Sequence, residues 1–386
     1  MPLTHSSATI IGLASLALAA GYAALACLAL LAWRLRRAAM NSTELPPVTV
    51  LKPLCGAEAG LYENLRSFCR LDYPEFQIVF GVHDPADPAL SVVERLRAEF
   101  SWLAIDVVLD PEQHGANLKI GNLINMLERA RHDVLVMADS DTWVGPDYLS
   151  TVTAPLHNPD VGLVTCLYHD VPTRRIWSRL GAMYINEWYM PSVLLAWLFG
   201  FRGYASGQTL CIRRNTLQAI GGLRAIANHL AEDNRLGELV RASGQRIVLS
   251  TYPVHAQHDE PDASSLIGHE LRWLQTIRVL RPASFRLLFL SFSLPLAVFG
   301  IALAAAERST SITEWVLFWI TVAARLVLHL RHRFQDGRLA LSDLWLLPAR
   351  DLLICLIWCG CFCTSRILWR GNEFDVDADG VMHRAS

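Results

Sequence analysis

The sequence predicts an α/β protein with a mostly parallel sheet, one apolar helix ahead of it and an apolar region behind it. Three observations lead there. From residue 48 to 167, short β-branched runs alternate with helical stretches, the signature of parallel strands joined by helices. Residues 8–33 form an uninterrupted apolar run, and further apolar runs fill the last third of the chain. Between them, Val134-Leu-Val-Met-Ala-Asp139-Ser140-Asp141 passes in one step from apolar residues to two carboxylates. A buried strand does this where it meets the C-terminal, ligand-binding edge of a sheet. A hydrophobic content of 52% is too high for an ordinary soluble protein, which implies a membrane. The net charge of -2, with no basic tract interleaved with aromatics, argues against nucleic acid. Nine cysteines lack paired spacing, and Cys355, Cys359, Cys361 and Cys363 sit in an apolar stretch as small hydrophobes. A reducing, cytosolic face fits this pattern.

Taken in order, residues 8–33 are long enough to cross a bilayer. Positive charge follows them at Arg34, Arg36 and Arg37, so the N-terminus is expected outside and the next domain in the cytoplasm. A polar, proline-containing linker occupies 41–47. Strands are expected at 48–52, closed by Pro53, at 77–83 and at 105–109, with helices at 62–71, 91–100 and 120–131. After the central strand come a strand at 161–167 and a long helical region at 176–199 rich in tryptophan and tyrosine. A helix begins near Glu232 and runs to 243, and a strand leads to a polar loop holding His255 and His258. An amphipathic helix at 266–281, with Leu271, Leu274, Ile277 and Leu280 against Arg278 and Arg281, suits a membrane surface. Residues 285–306 and 312–330 are spanning candidates, and Arg331 and Arg333 mark a cytoplasmic return. The stretch 341–369 is interrupted by Pro348, Arg350 and Asp351 and reads as re-entrant or interfacial with a cytoplasmic tail; a further span would put the tail outside. The expected division is therefore a transmembrane helix at 8–33, a catalytic domain at 46–282, a membrane region at 285–370 and a tail at 371–386.

Several residues carry chemistry. Asp139 and Asp141, one residue apart at a strand end, can share a divalent cation and the diphosphate it carries, and oxygen ligands suit Mg2+ or Mn2+. The alternative is that they cap the following turn. Asp84 and Asp87 end another strand at the same edge and would meet the other end of that ligand. Lys119 stands in a glycine-containing loop just before a helix, a setting suited to phosphate. Gly207 and Gln208 lie in a segment small enough for the backbone to approach a sugar. Glu232 and Asp233 either complement a helix N-terminus or supply a general base. His255 or His258 either completes a metal site or is a solvated loop residue. His269, Arg272 and Trp273 share one helix face, where arginine can clamp a diphosphate and tryptophan can stack on a sugar or wall an acceptor.

The ordered set Asp84/Asp87, Asp139-x-Asp141, Glu232-Asp233 and Arg272-Trp273 resembles the family-2-like GT-A glycosyltransferases, whose catalytic domain is Rossmann-like. More narrowly it is similar to the ceramide glucosyltransferase family, with its pattern D, D, D, (Q/R)xxRW. Leu51-Lys-Pro-Leu54, Asp87-Pro-Ala89, Asn117-Leu-Lys119, Ala231-Glu-Asp233 and Trp369-Arg-Gly371 match that family, and the likeness runs from about 8 to 382. Residues 114–126 and 269–278 look most like the bacterial hopanoid-biosynthesis glycosyltransferases, although His269 stands where the family motif has Gln or Arg. The resemblance implies a metal-dependent, inverting enzyme of the bacterial inner membrane with its catalytic domain in the cytoplasm. It would move N-acetylglucosamine from UDP-GlcNAc to bacteriohopanetetrol or, alternatively, glucose from UDP-glucose to ceramide. Asp84 and Asp87 would hold uridine, Asp139 and Asp141 the metal-diphosphate, and Asp233 would be the base; Lys119, Gly207, Gln208, Arg272 and Trp273 would line the donor site, with Glu232 and His269 toward the acceptor. A processive polysaccharide synthase would need more spans, and a non-catalytic nucleotide-sugar-binding scaffold would have no use for a base.

Overall fold

Strand Val48–Pro53 (β1) is buried along nearly its whole length, so it reads as an apolar run rather than an alternation. Its two polar side chains are satisfied inside: Thr49 donates to Gln77 Oε1 at 3.0 Å, and Lys52 reaches the sheet edge discussed below. The computed structural model describes residues 7–35, 45–58, 60–308, 310–335, 343–363, 366–369 and 372–384. Strands Phe76–Val82 (β2), Ala104–Leu109 (β3) and Val134–Met137 (β4) follow the expected α/β alternation, joined by helices Leu61–Cys69, Ala89–Glu99 and Leu118–Leu127. β1 lies parallel to β2, with Val50 opposite Ile78, and parallel to β4, with Val50 opposite Val136; β2 lies parallel to β3.

Past β4 the expected parallel pattern gives way to a mixed sheet. The remaining strands are Thr142–Trp143 (β5), Val161–Asp170 (β6), Leu210–Arg213 (β7) and Arg246–Ala256 (β8), and the order is β3-β2-β1-β4-β7-β6-β8-β5. β7 runs antiparallel to both β4 and β6 because it begins beside the end of β4, Leu210 opposite Met137, and a strand entering at that edge must run back. β8 is parallel to β6 and antiparallel to β5. His255, expected in the loop beyond this strand, is inside it, opposite Trp143 and stacked on that ring at 5.4 Å.

Contacts divide the chain into two units, one of Arg36–Val171, Phe201–Asp259 and Asn372–Ser386, the other of Met1–Leu35, Pro172–Gly200 and Glu260–Gly371. This division does not follow the expected boundaries. The stretch Pro172–Gly200 and the helix Ala263–Leu280 leave the span 46–282, and the expected tail joins the sheet-bearing unit.

In the second unit, Ser7–Leu35 and Ile312–Arg331 are long and apolar enough to cross a membrane. The first helix meets Ser293–Ala306 through glycines: a Cβ on Gly12 would lie 2.9 Å from the Gly300 carbonyl, and one on Gly300 2.7 Å from that of Gly12. The expected span at 285–306 is broken into a short helix Pro282–Arg286, a 3-10 turn Leu288–Ser291 and Ser293–Ala306. That last helix has 14 residues, about 21 Å of rise, short of the roughly 30 Å hydrocarbon core. Within 341–369 the structure gives a 15-residue helix, Leu346–Gly360, and a strand, Ile367–Trp369. Arg36, Arg37, residues 41–44, Arg370 and Gly371, which entered the sequence reading, lie outside the described residues. The apolar stripe of Ala263–Leu280, expected on a membrane surface, is covered by protein: Leu271, Leu274 and Ile277 pack on Phe285, Ile357 and Cys361.

The charges that interrupt the last apolar stretch are buried partners. Arg350 pairs with Glu270 through two contacts, 2.5 and 2.7 Å. Arg325 reaches Glu187 at 2.5 Å and takes Asp351 bidentately, while Glu187, on a π-helical turn Ile185–Tyr189, also meets His329 at 2.8 Å. Removing one member strands the other. Arg350→Ala is expected to cost about 3–5 kcal/mol, read as a lower unfolding midpoint in detergent. Glu270→Gln combined with Arg350→Met should recover most of it; an unchanged midpoint in the single variant would refute the buried pair.

Candidate active site

The edge is built from β4 outward. Its four residues are buried, and the chain then delivers Asp139, Ser140 and Asp141 to the rim. The turn is held from below by Lys52 on the neighbouring β1, whose Nζ donates to the Asp139 carbonyl at 2.5 Å and to Thr142 Oγ1 at 3.2 Å, and lies 3.7 Å over the Phe68 ring. Burial pulls the Lys52 pKa down to about 7, with Asp141 and Asp139 opposing. Asp141 has its own support: His258 Nε2 is 3.4 Å from its Oδ2, and His258 Nδ1 is 2.8 Å from Asp170, the last residue of β6. Burial works against the charge on His258, but the two carboxylates hold its pKa well above the ordinary histidine range. Burial likewise opposes the charge on Asp141, and His258 wins, keeping that carboxyl below its usual range.

Lys119 ties the rim together. It opens Leu118–Leu127, whose N-cap, Asn117, accepts the Ile120 amide at 3.1 Å. Its Nζ lies 2.5 Å from Asp139 Oδ1 and 2.9 Å from Glu232 Oε1. Burial lowers the lysine pKa, and the two carboxylates outweigh it, leaving the amine charged. Gly207 passes so close that a Cβ there would sit 2.6 Å from Lys119 Nζ and 2.9 Å from Asp139 Oδ2. The Gly207 amide donates to Asp233 Oδ2 at 3.0 Å, and the Asn234 amide to Asp233 Oδ1 at 2.6 Å. Burial and the neighbouring Glu232 push Asp233 up to about 7, against Lys119 and the two amides. Thus Lys119, Asp139, Gly207, Glu232 and Asp233, scattered in sequence, share one cleft. Gln208 adjoins it, its Oε1 taken by the Ser206 hydroxyl.

Other expected residues have partners of their own. Asp84 is exposed and accepts the Ala86 amide at 2.8 Å, a turn cap. Asp87 accepts the Gly56 amide at 3.0 and 2.9 Å and the Ala89 amide at 2.8 Å, so it pins the loop after β1 to the next helix. His269, Arg272 and Trp273 are in the second unit. There His269 Nδ1 faces Glu260 at 2.8 Å and its ring stacks on Trp273 at 4.5 Å, while Tyr184 stacks on Trp273 at 5.7 Å. Trp273 is half-buried and flanked by these two rings.

Sequence reasoning missed Lys52 and Asp170 and underrated His258. A lysine inside a buried strand is a signal in itself, because lysine is almost never fully buried without a partner. The Asp141–His258–Asp170 chain leaves no such trace, since it depends on strand register.

The residues suit a cation that bridges to a diphosphate. Asp141 Oδ1 is buried with no hydrogen-bond partner among the described residues, and Asp139 stands two residues away at the same rim. Among the described residues no three His, Cys, Asp or Glu side chains converge on one point. An ion here would take most of its oxygen shell from phosphate and water, as Mg2+ commonly does.

The profile of glycosyl transferase family 21 matches residues 13–382. Ceramide glucosyltransferases 1 and 3 of Caenorhabditis elegans are 23% and 22% identical to this chain, over 90% and 89% of it and 75% of each relative. Among solved structures, the mannosyltransferase PcManGT from Pyrobaculum calidifontis, in complex with GDP-Man and Mn2+, is similar with a TM-score of 0.53 at 20% identity, covering 90% of this chain and 98% of that one. The α/β fold is thus of the GT-A kind.

The raised Asp233 makes a stability prediction independent of turnover. Its folded-state pKa, about 7, exceeds the ordinary 3.8, so the folded protein keeps a proton that the unfolded chain releases between those values. That contribution is full below the ordinary value and is lost as pH rises through about 7. Asp233→Asn should therefore lose less stability than the wild type between pH 4 and 7, as read from unfolding midpoints across that range; parallel curves would contradict the raised value.

Proposed function

Because the chain belongs to glycosyl transferase family 21, we propose that this cleft holds a UDP-sugar and passes the sugar, with inversion, to a hydroxyl of a membrane lipid. One observation carries the reading. Asp233, with a pKa near neutrality, shares Gly207 with the Lys119–Asp139 pair, so a base stands beside an anion-binding rim. In the proposed reaction the acceptor hydroxyl gives its proton to Asp233 as its oxygen bonds the anomeric carbon. The bond from that carbon to the diphosphate breaks, and UDP leaves. Lys119 places positive charge toward the departing diphosphate, Asp84 and Asp87 are assigned to the uridine end, and Gln208 is assigned to the donor. A Mg2+ or Mn2+ held by Asp139 and Asp141 would neutralise charge on the diphosphate.

The named relatives favour glucose and ceramide over N-acetylglucosamine and bacteriohopanetetrol. The hopanoid reading rests only on the stretches 114–126 and 269–278. The two long apolar helices support a membrane location, and the arginine in the last turn of the first, Arg34, supports a cytoplasmic catalytic unit; in a bacterium this is the inner membrane.

The test is mass spectrometry of lipids after incubation of purified protein with UDP-glucose or UDP-GlcNAc and ceramide or bacteriohopanetetrol. A hexosyl ceramide is expected; a hexosaminyl hopanoid would move the acceptor to the second reading. Asp233→Asn should lower turnover by roughly 10²- to 10⁴-fold, with UDP-sugar affinity nearly unchanged. Full turnover in that variant would sink the base assignment, and a scaffold without turnover would yield no product from the wild type. Chelation should stop product formation, and Mg2+ or Mn2+ should restore it.

A further inference from the structure

The base-bearing helix Glu232–Ala242 has Ala231 at its N-cap, which offers no side chain to fix the helix start. The segment before it, 227–230, is instead held on two sides. On one side it carries the lysine loop. The Ala227 carbonyl accepts the Asn117 amide at 2.9 Å, Asn228 Oδ1 accepts the Ala116 amide at 2.9 Å, and the His229 carbonyl accepts Asn117 Nδ2 at 2.9 Å. The approach is so close that a Cβ on Gly115 would lie 2.5 Å from the Ala227 carbonyl oxygen, which explains the glycine in His-Gly-Ala-Asn. On the other side stands the C-terminal hairpin, strands Asn372–Val376 and Met382–Arg384. The Leu230 amide donates to the Gly380 carbonyl at 2.9 Å, the Met382 amide donates to the Asn228 carbonyl at 2.8 Å, and His229 bridges to Val381. The hairpin is itself well made. Asp377 Oδ1 accepts the Asp379 and Val381 amides at 3.0 and 2.9 Å, Gly380 supplies the positive φ of the turn, and Phe374 and Met382 are buried.

We propose that this hairpin is a positioning element of the active site, setting the place of Asp233 and Lys119 through the segment 227–230. It extends that segment by strand-like pairing from the side opposite the lysine loop. Asp233 lies three residues beyond Leu230, and Lys119 two beyond Asn117, whose Nδ2 also reaches Glu232 Oε2 at 3.3 Å. A shift of the hairpin therefore reaches the base and the anion-binding amine together, through the backbone of that segment. The inference rests on the assignment of Asp233 as base.

The test uses full-length protein with Asp377→Ala, which removes both turn caps, and separately Met382→Pro, which removes the amide that pairs with Asn228. Hydrogen exchange should quicken about tenfold at 114–117 and 228–234 while β1 and β2 keep their protection. Sugar-transfer kcat should fall roughly 10- to 100-fold, the scale of a small misplacement, in protein whose unfolding midpoint stays near that of the wild type. Asp377→Ala should cost less in Asp233→Asn than in the wild type, because part of its effect runs through that base. Wild-type kcat in both variants, unaltered exchange in the segment, or a loss that adds fully to Asp233→Asn would each overturn the proposal. A wild-type rate in Asp233→Asn alone would instead defeat the base assignment, and that result is read before any hairpin variant is made.

Discussion

The catalytic unit depends on one half-buried ammonium between two carboxylates, Lys119 with Asp139 at 2.5 Å and Glu232 at 2.9 Å. The charges become affordable away from water only when paired, so the strand end, the lysine loop and the helix start must meet for any of them to stay ionised. The pairing is incomplete by design of the sequence. Asp139, Asp141, Glu232 and Asp233 crowd one rim, and Lys119 and His258 are the cations that keep their charge there. Two consequences stand at this rim: burial, with Glu232 beside it, pushes Asp233 up to about 7, and Asp141 retains a buried oxygen with no hydrogen-bond partner among the described residues. A cation with its diphosphate and a proton-accepting base are the two partners such a surplus favours.

Much of this was legible from side-chain patterning. The step from an apolar run to Asp139 and Asp141 located the rim, and an acidic pair ahead of a helical pattern located Asp233, because burial and charge leave their mark along the chain itself. What stayed hidden depended on which strand lies beside which. The alternation of strands and helices carries no sign of direction, so the reversal of β7 was invisible, and with it the reason Gly207 arrives at the rim. Lys52 acts across from β1 to β4, and Asp170 reaches Asp141 only because β6 and β8 bring His258 between them. The hairpin at the C-terminus read as a tail because its partners, Asn228 and Leu230, are more than a hundred residues away. Ser293–Ala306 was overread as part of a span because apolar composition does not show where a helix breaks.

Glycine marks close approaches, and two of those in the sheet-bearing unit bear on the site. Gly115 lets the lysine loop lie against Ala227, and Gly207 lets a backbone amide reach Asp233 between Lys119 and Asp139. A side chain at Gly115 would push the lysine loop from the segment 227–230, and one at Gly207 would push its turn from Lys119 and Asp139. Asp233 and Lys119 are thus coupled twice, once through the segment 227–230 and once across Gly207, so that neither can be displaced alone. This is the kind of over-determination a site needs to hold groups within a fraction of an ångström of working geometry.

The second unit uses the same device to the opposite end. Arg350 meets both oxygens of Glu270, Arg325 meets both oxygens of Asp351, and the two oxygens of Glu187 are shared between Arg325 and His329. Each of these carboxylates is fully engaged, on helices whose surroundings include a candidate membrane span, where an unmatched charge is most costly. With every one of these carboxylate oxygens engaged, no acceptor is left to offer a cation, and the cluster is a clamp between helices. In the catalytic unit the carboxylates outnumber their cations and an oxygen is left over, so the same chemistry becomes a site. The difference between a structural and a functional charge cluster in this protein is therefore a matter of stoichiometry at buried oxygens, and it can be read from the structure atom by atom.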